Sequence, residues 1–258
     1  MIMNAPATKL TLTIDGRKVR ALPGEMLLDV ARREGFDIPA ACAFEGLKPY
    51  GACRLCLVKV RHGRRERVVT ACNYPITASV DVVTSDEKIL RLRRTTASLL
   101  VAMAPASVEM RELARRLGAV DLGLRSKDPD NRCIACGLCV RVCEDIVGAH
   151  AITFSARGQH RKVSLPFEEL DLEACTGCGA CGFVCPTGCI DMERQKLRVL
   201  KGAWRAGERP CRYALTGLLP GALCDHDYDC VTCSLDRRMF EMAQGMHPAF
   251  LLPGGGDR

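Results

Sequence analysis

Alternation opens the chain. "KLTLTI" (9–14) switches between polar and apolar residues at every step, "DG" (15–16) turns it, and "RKVRAL" (17–22) returns. Such a pattern predicts a β-hairpin. The period then changes. In "PGEMLLDVARREG" (23–35) apolar residues fall at 27, 28, 30 and 31 with charges between them, and Gly35 follows as a stop, which predicts a short amphipathic helix. "IPAACAFEGLKPYGACRLC" (38–56) has no period and reads as a loop. "LVKVR" (57–61), "ERVVTAC" (66–72) and "SVDVVT" (79–84) are short strands, so a small mixed domain ends near residue 85. Two helices follow, 86–104 and 108–120, the first with Asp86 and Glu87 at its positive end. From 127 to 200 the chain is short segments around two cysteine runs, each followed by an isoleucine-bearing stretch, 148–154 and 188–193. The region after 201 is again cysteine-rich. Its stretch "LLPGALCDHDYD" offers little regular structure, and "LLPGGGDR" reads as a frayed end.

Composition changes this picture in one respect. The 258 residues carry 17 cysteines. The start alternates and contains an aspartate where a secretory signal would be apolar, and no run approaches the roughly 18 apolar residues of a membrane span. A reducing cytoplasm is the expected compartment, and metal binding is the economical use of so many thiols there. The formal charge of +7 counts every cysteine as neutral, so it overstates the basicity of a chain whose thiols bind metal. The arginine runs "RHGRRER" (61–67) and "RLRR" (91–94) lack interleaved aromatics, so nucleic acid is not an expected partner; they suit docking to an acidic surface. No G-x-G-x-x-G follows a strand, and no other constellation makes a catalytic site.

The two runs are "CIACGLCVRVCE" (133–144) and "CTGCGACGFVCP" (175–186), with identical spacing. C-x2-C-x2-C wraps one corner of a [4Fe–4S] cube. In two-cluster ferredoxins the fourth cysteine of each run ligates the other cluster. That rule assigns Cys133, Cys136, Cys139 and Cys185 to one cube and Cys143, Cys175, Cys178 and Cys181 to the other. Gly137, Gly177, Gly179 and Gly182 let the backbone pass close to the sulfides, and Pro186 turns the chain away. Structural zinc is the alternative, but zinc sites usually separate their cysteine pairs by longer loops.

Cys42, Cys53, Cys56 and Cys72 have gaps of 10, 2 and 15. The first gap is longer than in a bare plant-type [2Fe–2S] motif. With its context, "PGEMLLDVARREGFDIPAACAFEGLKPYGACRLCLVKV" resembles the N-terminal ferredoxin domain of the large iron–sulfur subunit of respiratory NADH dehydrogenase, and "CIACGLCVRVCEDIVGAHAITFSARG" is similar to that family's two-cube domain. The same domains occur in the diaphorase iron–sulfur subunit of NAD-linked [NiFe] hydrogenases, in iron-only hydrogenases and in NAD-linked formate dehydrogenases. The resemblance covers about residues 1–200. With it the chain reads as α+β in four parts: a β-grasp [2Fe–2S] ferredoxin-like domain (1–85), a helical spacer (86–126) and a two-[4Fe–4S] ferredoxin domain (127–200), as the resemblance implies, and beyond its reach a cysteine-rich extension (201–258). The resemblance also implies that Cys42, Cys53, Cys56 and Cys72 hold the [2Fe–2S] centre. The implied function is that of an electron-transfer subunit without a catalytic domain of its own. It would relay single electrons between a flavoprotein that oxidises NAD(P)H and a catalytic oxidoreductase subunit. A free multi-cluster ferredoxin and a metal-stabilised scaffold are the rivals. Many relatives carry a cube held by one histidine and three cysteines between the two modules; residues 73–132 contain neither residue type, so that cluster is expected to be missing here.

Five cysteines remain. Cys211, Cys224, Cys230 and Cys233, with gaps of 12, 5 and 2, suit one metal centre: a third [4Fe–4S] cube or a zinc ion, with His226 able to replace a cysteine, or else no metal at all. Cys189 reads as a small buried residue near a cluster.

Overall fold

The computed structural model describes residues 9–165, 174–190 and 197–253. The chain forms two compact units, one of residues 1–43 with 48–136, the other of residues 44–47 with 137–258.

In the first unit β1 (Leu10–Ile14) and β2 (Arg17–Ala21) pair antiparallel, with Leu12 opposite Val19. Asp15 and Gly16 both take positive φ, the geometry of the two-residue turn that matches strand twist. One face of this hairpin, Leu12, Ile14, Val19 and Ala21, is buried. Helix α1 (Leu27–Arg33) lays Leu27, Leu28, Val30 and Ala31 into the same core. Gly35 stops it with a left-handed φ of 80°. Strands β3 (Leu57–His62) and β4 (Arg65–Thr70) form a second hairpin. The short β5 (Asp81–Val83) joins the two hairpins, parallel to β1 and antiparallel to β3, giving the order β2-β1-β5-β3-β4. A mixed five-stranded sheet with a helix sharing its core is the α+β arrangement expected from the alternation.

Helices α2 (Glu87–Met103) and α3 (Val108–Arg116) complete this unit. Each begins at a side-chain cap: Asp86 accepts the Ile89 N–H at 2.8 Å, and Ser107 accepts the Met110 N–H at 3.2 Å. The α2 stripe Ile89, Arg93, Ala97 and Leu100 is buried. Because Ser107 is fully buried, Ser107→Ala leaves that N–H without its partner. We expect it to lower the unit's stability by about 1 kcal/mol, read as an earlier denaturation midpoint with unchanged cluster content.

In the second unit α4 (Leu138–Arg141) continues into a wide π turn (Val142–Val147) that ends at Gly148. Strands β6 (Thr153–Ser155) and β7 (Lys162–Ser164) make a small hairpin. Helix α5 (Ala180–Phe183) carries Cys181, the second run's third cysteine, then come α6 (Arg198–Ala203), α7 (Arg212–Leu215), α8 (Ser234–Met242) and a 3-10 turn (Pro248–Leu251). The isoleucine-bearing stretch at 188–193 lies partly outside the described residues.

The tail is more regular than its composition suggested. Helix α8 starts immediately after Cys233, buries Met239, and ends before Gly245, whose φ is 84°. Just before the stretch "LLPGGGDR", Ala249 and His247 are buried, whereas Leu251 is exposed and 254–258 lie outside the described residues. Rings of Phe44, Phe183, Phe240, His247 and Phe250 stack or meet edge-on at centroid distances of 5.5–5.9 Å. These contacts pack the chain up to Phe250 against the second unit.

Candidate metal centres

None of the 17 cysteines forms a disulfide. In the first unit the loop between α1 and β3 delivers Cys42, Cys53 and Cys56, and a 3-10 turn after β4 delivers Cys72; all four are buried. Their thiols are joined in a chain. Cys42 contacts Cys53 and Cys72, and Cys56 contacts Cys72. Backbone donors point at the sulfurs: the Cys53 N–H reaches Cys42 Sγ and the Ala41 N–H reaches Cys53 Sγ, each at 3.4 Å. These contacts hold the Cys42 and Cys56 thiols below their usual range, the neighbouring thiol being the largest cause in each. Cys53 and Cys72 are pushed up by the same thiol contacts and by burial. Four buried thiols in mutual contact cannot all ionise without a cation among them. Two adjoining pairs with amide donors fit a two-iron cluster, which takes two thiolates on each iron.

The loop is braced from two sides. Gly51 has a φ of 70°, which glycine takes without strain, and a Cβ there would press on the Asn73 amide at 2.9 Å beside the turn that carries Cys72. From α2, Arg93 donates through Nε to the Leu55 carbonyl at 3.1 Å and through Nη2 to the Leu57 carbonyl at 2.6 Å. This guanidinium is buried, and the Cys56 charge lies near it. The "RLRR" run is therefore not simply a docking patch: one of its members is a buried brace of the cysteine loop.

The two runs share backbone detail as well as spacing. Ala135 and Gly177 occupy matching positions and take φ of 48° and 67°; Gly137 and Gly179 match likewise at 76° and 87°, each beginning a short helix. The first run crosses from one compact unit to the other between Cys136 and Gly137. Cys133 is half-buried, and its Sγ accepts the Ala135 N–H at 3.3 Å; Cys136 and Cys139 are buried. Cys185 is half-buried, 3.5 Å from Thr187 Oγ1 and 3.6 Å from Cys189 Sγ. Cys189 is half-buried too, where the sequence suggested a buried residue.

Within the second unit the structure brings the last cysteine of the first run to the second run. Burial pushes the Cys143 thiol up, and the charges that push it further are those of Cys178 and Cys175. Its Sγ accepts the Ala151 N–H at 3.3 Å. Cys181 is buried and feels Cys178, Cys139, Cys143 and Cys175. Cys178 is raised chiefly by burial, and its loop is held by His247, whose Nε2 lies 3.1 Å from the Cys178 carbonyl oxygen. Burial and the nearby Arg212 hold His247 at about 4, so the ring is neutral at pH 7 and donates to that carbonyl.

In the tail Cys211, Cys224, Cys230 and Cys233 line one small pocket. Cys224 Sγ accepts the Tyr228 N–H at 3.2 Å. His226 also borders it, exposed, with Nδ1 2.6 Å from Asp225 Oδ1. Among the described residues, no three Cys, His, Asp or Glu side chains converge on a point as the ligands of a single ion would. Also among them, no helix is long and apolar enough to cross a membrane.

Known proteins share this layout. Residues 7–87 match the family described as a 2Fe-2S iron-sulfur cluster binding domain, and residues 129–192 match the 4Fe-4S dicluster domain. The NADPH-Fe(3+) oxidoreductase subunit alpha of Geobacter sulfurreducens is 30% identical over 233 residues, which cover 81% of this chain and 27% of that protein. The NADP-reducing hydrogenase subunit HndD of Solidesulfovibrio fructosivorans is 31% identical over 211 residues, 70% of this chain and 36% of that protein. The chain thus spans well under half the length of these curated relatives. A crystal structure of an NAD+-reducing [NiFe]-hydrogenase in the H2-reduced state aligns with a TM-score of 0.54 at 27% identity, covering 60% of this chain and 74% of that one. With a [2Fe–2S] domain and a [4Fe–4S] dicluster domain, the chain is a multi-cluster iron–sulfur protein, similar over these parts to subunits of an NADPH-Fe(3+) oxidoreductase and of NAD(P)-reducing hydrogenases.

Proposed function

We propose that the chain relays single electrons between a flavoprotein that oxidises or reduces NAD(P)(H) and a catalytic oxidoreductase subunit, in the cytoplasm. Cys42, Cys53, Cys56 and Cys72 hold a [2Fe–2S] cluster. Cys133, Cys136, Cys139 and Cys185 hold one [4Fe–4S] cluster, and Cys143, Cys175, Cys178 and Cys181 hold the other. Cys211, Cys224, Cys230 and Cys233 form a further metal site. The observation that supports this reading is the repeated cysteine run with its matching backbone turns, Ala135 with Gly177 and Gly137 with Gly179, together with the charges of Cys178 and Cys175 felt by Cys143. Clusters of this kind supply one-electron exchange with their ligands retained. The chain's own part is to bury the thiolates, aim N–H groups at sulfur, and brace the loops through Arg93 and His247.

A hydride carrier transfers two electrons at once, so a chain of one-electron centres needs a flavin to exchange with it. Under anaerobic conditions the purified chain is expected to hold at least about ten irons. NAD(P)H alone should leave its visible spectrum unchanged. Adding a catalytic amount of an NAD(P)H-oxidising flavoprotein should bleach it. A fully loaded preparation with fewer than about eight irons, or bleaching by NAD(P)H without a flavoprotein, would overturn the proposal.

A further inference from the structure

We infer that His247 is a positioning residue for the cluster held in part by Cys178, and that the turn carrying it, flanked by the rings of Phe183 and Phe240, sets that cluster's midpoint potential. The inference rests on the electron-relay reading above and gives the end of the tail a part in it.

His247 is fixed at both ring nitrogens. The chain leaves α8 through Gly245 and turns again over Pro248–Leu251, and His247 caps that turn: its Nδ1 accepts the Ala249 N–H at 3.1 Å. A ring nitrogen that accepts carries no proton, so the proton of the neutral imidazole is on Nε2. Nε2 therefore donates to the Cys178 carbonyl, 3.1 Å away. The bond is out of water, since His247 is 2% exposed. The ring also reaches the next residue of the loop, where a Cβ on Gly179 would lie 3.8 Å from Nε2. Arg212 Nη1 lies 3.5 Å from the same position, so the two side chains cover the backbone there together.

The rings beside His247 come from both segments that it joins. Phe183 is on α5, the short helix that starts from Gly179, and its N–H bonds to the Gly179 carbonyl at 3.1 Å. Phe240 is on α8. Their centroids lie 5.5 and 5.6 Å from that of His247. Phe183 is partly exposed and His247 is not, which makes the rings the layer between water and the Cys178 loop.

Two effects of opposite sign follow. A cluster gains negative charge when it takes up an electron, so surroundings that stabilise negative charge raise its potential. The Nε2–H offsets the negative end of the Cys178 carbonyl and favours the reduced state. Water would favour it too, and the rings keep water away. Loss of the donor therefore lowers the potential, and loss of a ring raises it.

The test uses the full chain prepared without oxygen and titrated with dithionite while its electron paramagnetic resonance is followed. The signal of this cluster is the one missing from Cys178→Ser. His247→Phe keeps a ring and loses the donor; it should retain its iron and shift this cluster's midpoint potential negative. Phe240→Ala keeps the donor and opens the layer; it should shift the same potential positive. His247→Gln, which retains an N–H donor, should fall nearer the parent than His247→Phe. The other clusters should keep their potentials in all three. A parental potential in iron-replete His247→Phe, or shifts of one sign in His247→Phe and Phe240→Ala, overturns the inference and leaves the electron-relay reading intact. Loss of iron from both His247 variants overturns it as well, since the residue then only holds the fold. A Cys178→Ser chain that keeps every signal of the parent defeats the cluster assignment beneath both.

Discussion

Replacing Cys143 by serine is expected to remove the cluster bound by the second cysteine run and to spare the cluster of its own. Cys143 follows Cys139 by one turn of helix, but the rule for paired cysteine runs gives the fourth cysteine of each run to the other cluster. In the fold α4 runs on into the π turn that carries Cys143, whose thiol is raised by burial and further by the charges of Cys178 and Cys175. A serine hydroxyl ionises far less readily than a thiol and is a poor ligand for iron. The expected loss is about four irons per chain. The identity of the lost cluster is read by comparison. The electron paramagnetic resonance spectrum of Cys143→Ser should match that of Cys178→Ser and differ from that of Cys136→Ser. A match to Cys136→Ser instead would mean that each run completes its own site, and the assignment of all eight cysteines would have to be redrawn.

The features that were legible in the sequence are those carried by local spacing. The Asp15–Gly16 turn, the apolar faces of β1 and β2, the stop at Gly35 and the Asp86 cap follow from nearest-neighbour chemistry, and each is found where the pattern put it. Cysteine spacing marked the candidate loops for the same reason. Long-range placement was not legible. Nothing local in "SVDVVT" says that β5 lies between two hairpins, parallel to one and antiparallel to the other. In the tail, "SLDRRMFEM" is mostly charged and shows too few apolar positions for a clear helical period, and Met239 is the buried contact of α8. Arg212 and His247 were invisible because their role depends on a loop more than 30 positions away in the chain.

Arg93 is the instructive miss. A run of three arginines in four positions reads as suited to docking to an acidic surface, but the apolar stripe of α2 goes through one of them: Ile89, Arg93, Ala97 and Leu100 recur at helical spacing and are all buried. The period therefore held a signal that the charge run hid. The consequence for stability is large. Arg93 satisfies the Leu55 and Leu57 carbonyls on either side of Cys56, and hydrogen bonds from a charged donor contribute about 1.5–3 kcal/mol each. Burying the guanidinium opposes this, as its depressed pKa shows, so the two bonds do not simply add. Arg93→Leu is expected to cost about 3 kcal/mol, a substantial part of the roughly 5–15 kcal/mol that holds a domain together. Arg93→Lys keeps the charge, loses the fork that reaches two carbonyls at once, and should fall between the parent and the leucine variant. Native-state hydrogen exchange at the β3 amides measures the loss directly. The visible circular dichroism of the [2Fe–2S] centre should decay faster in the same variants, while the [4Fe–4S] signals keep the parent's lifetime. An Arg93→Leu chain with parental exchange rates and a parental [2Fe–2S] lifetime would show that the loop around Cys56 stands without its brace.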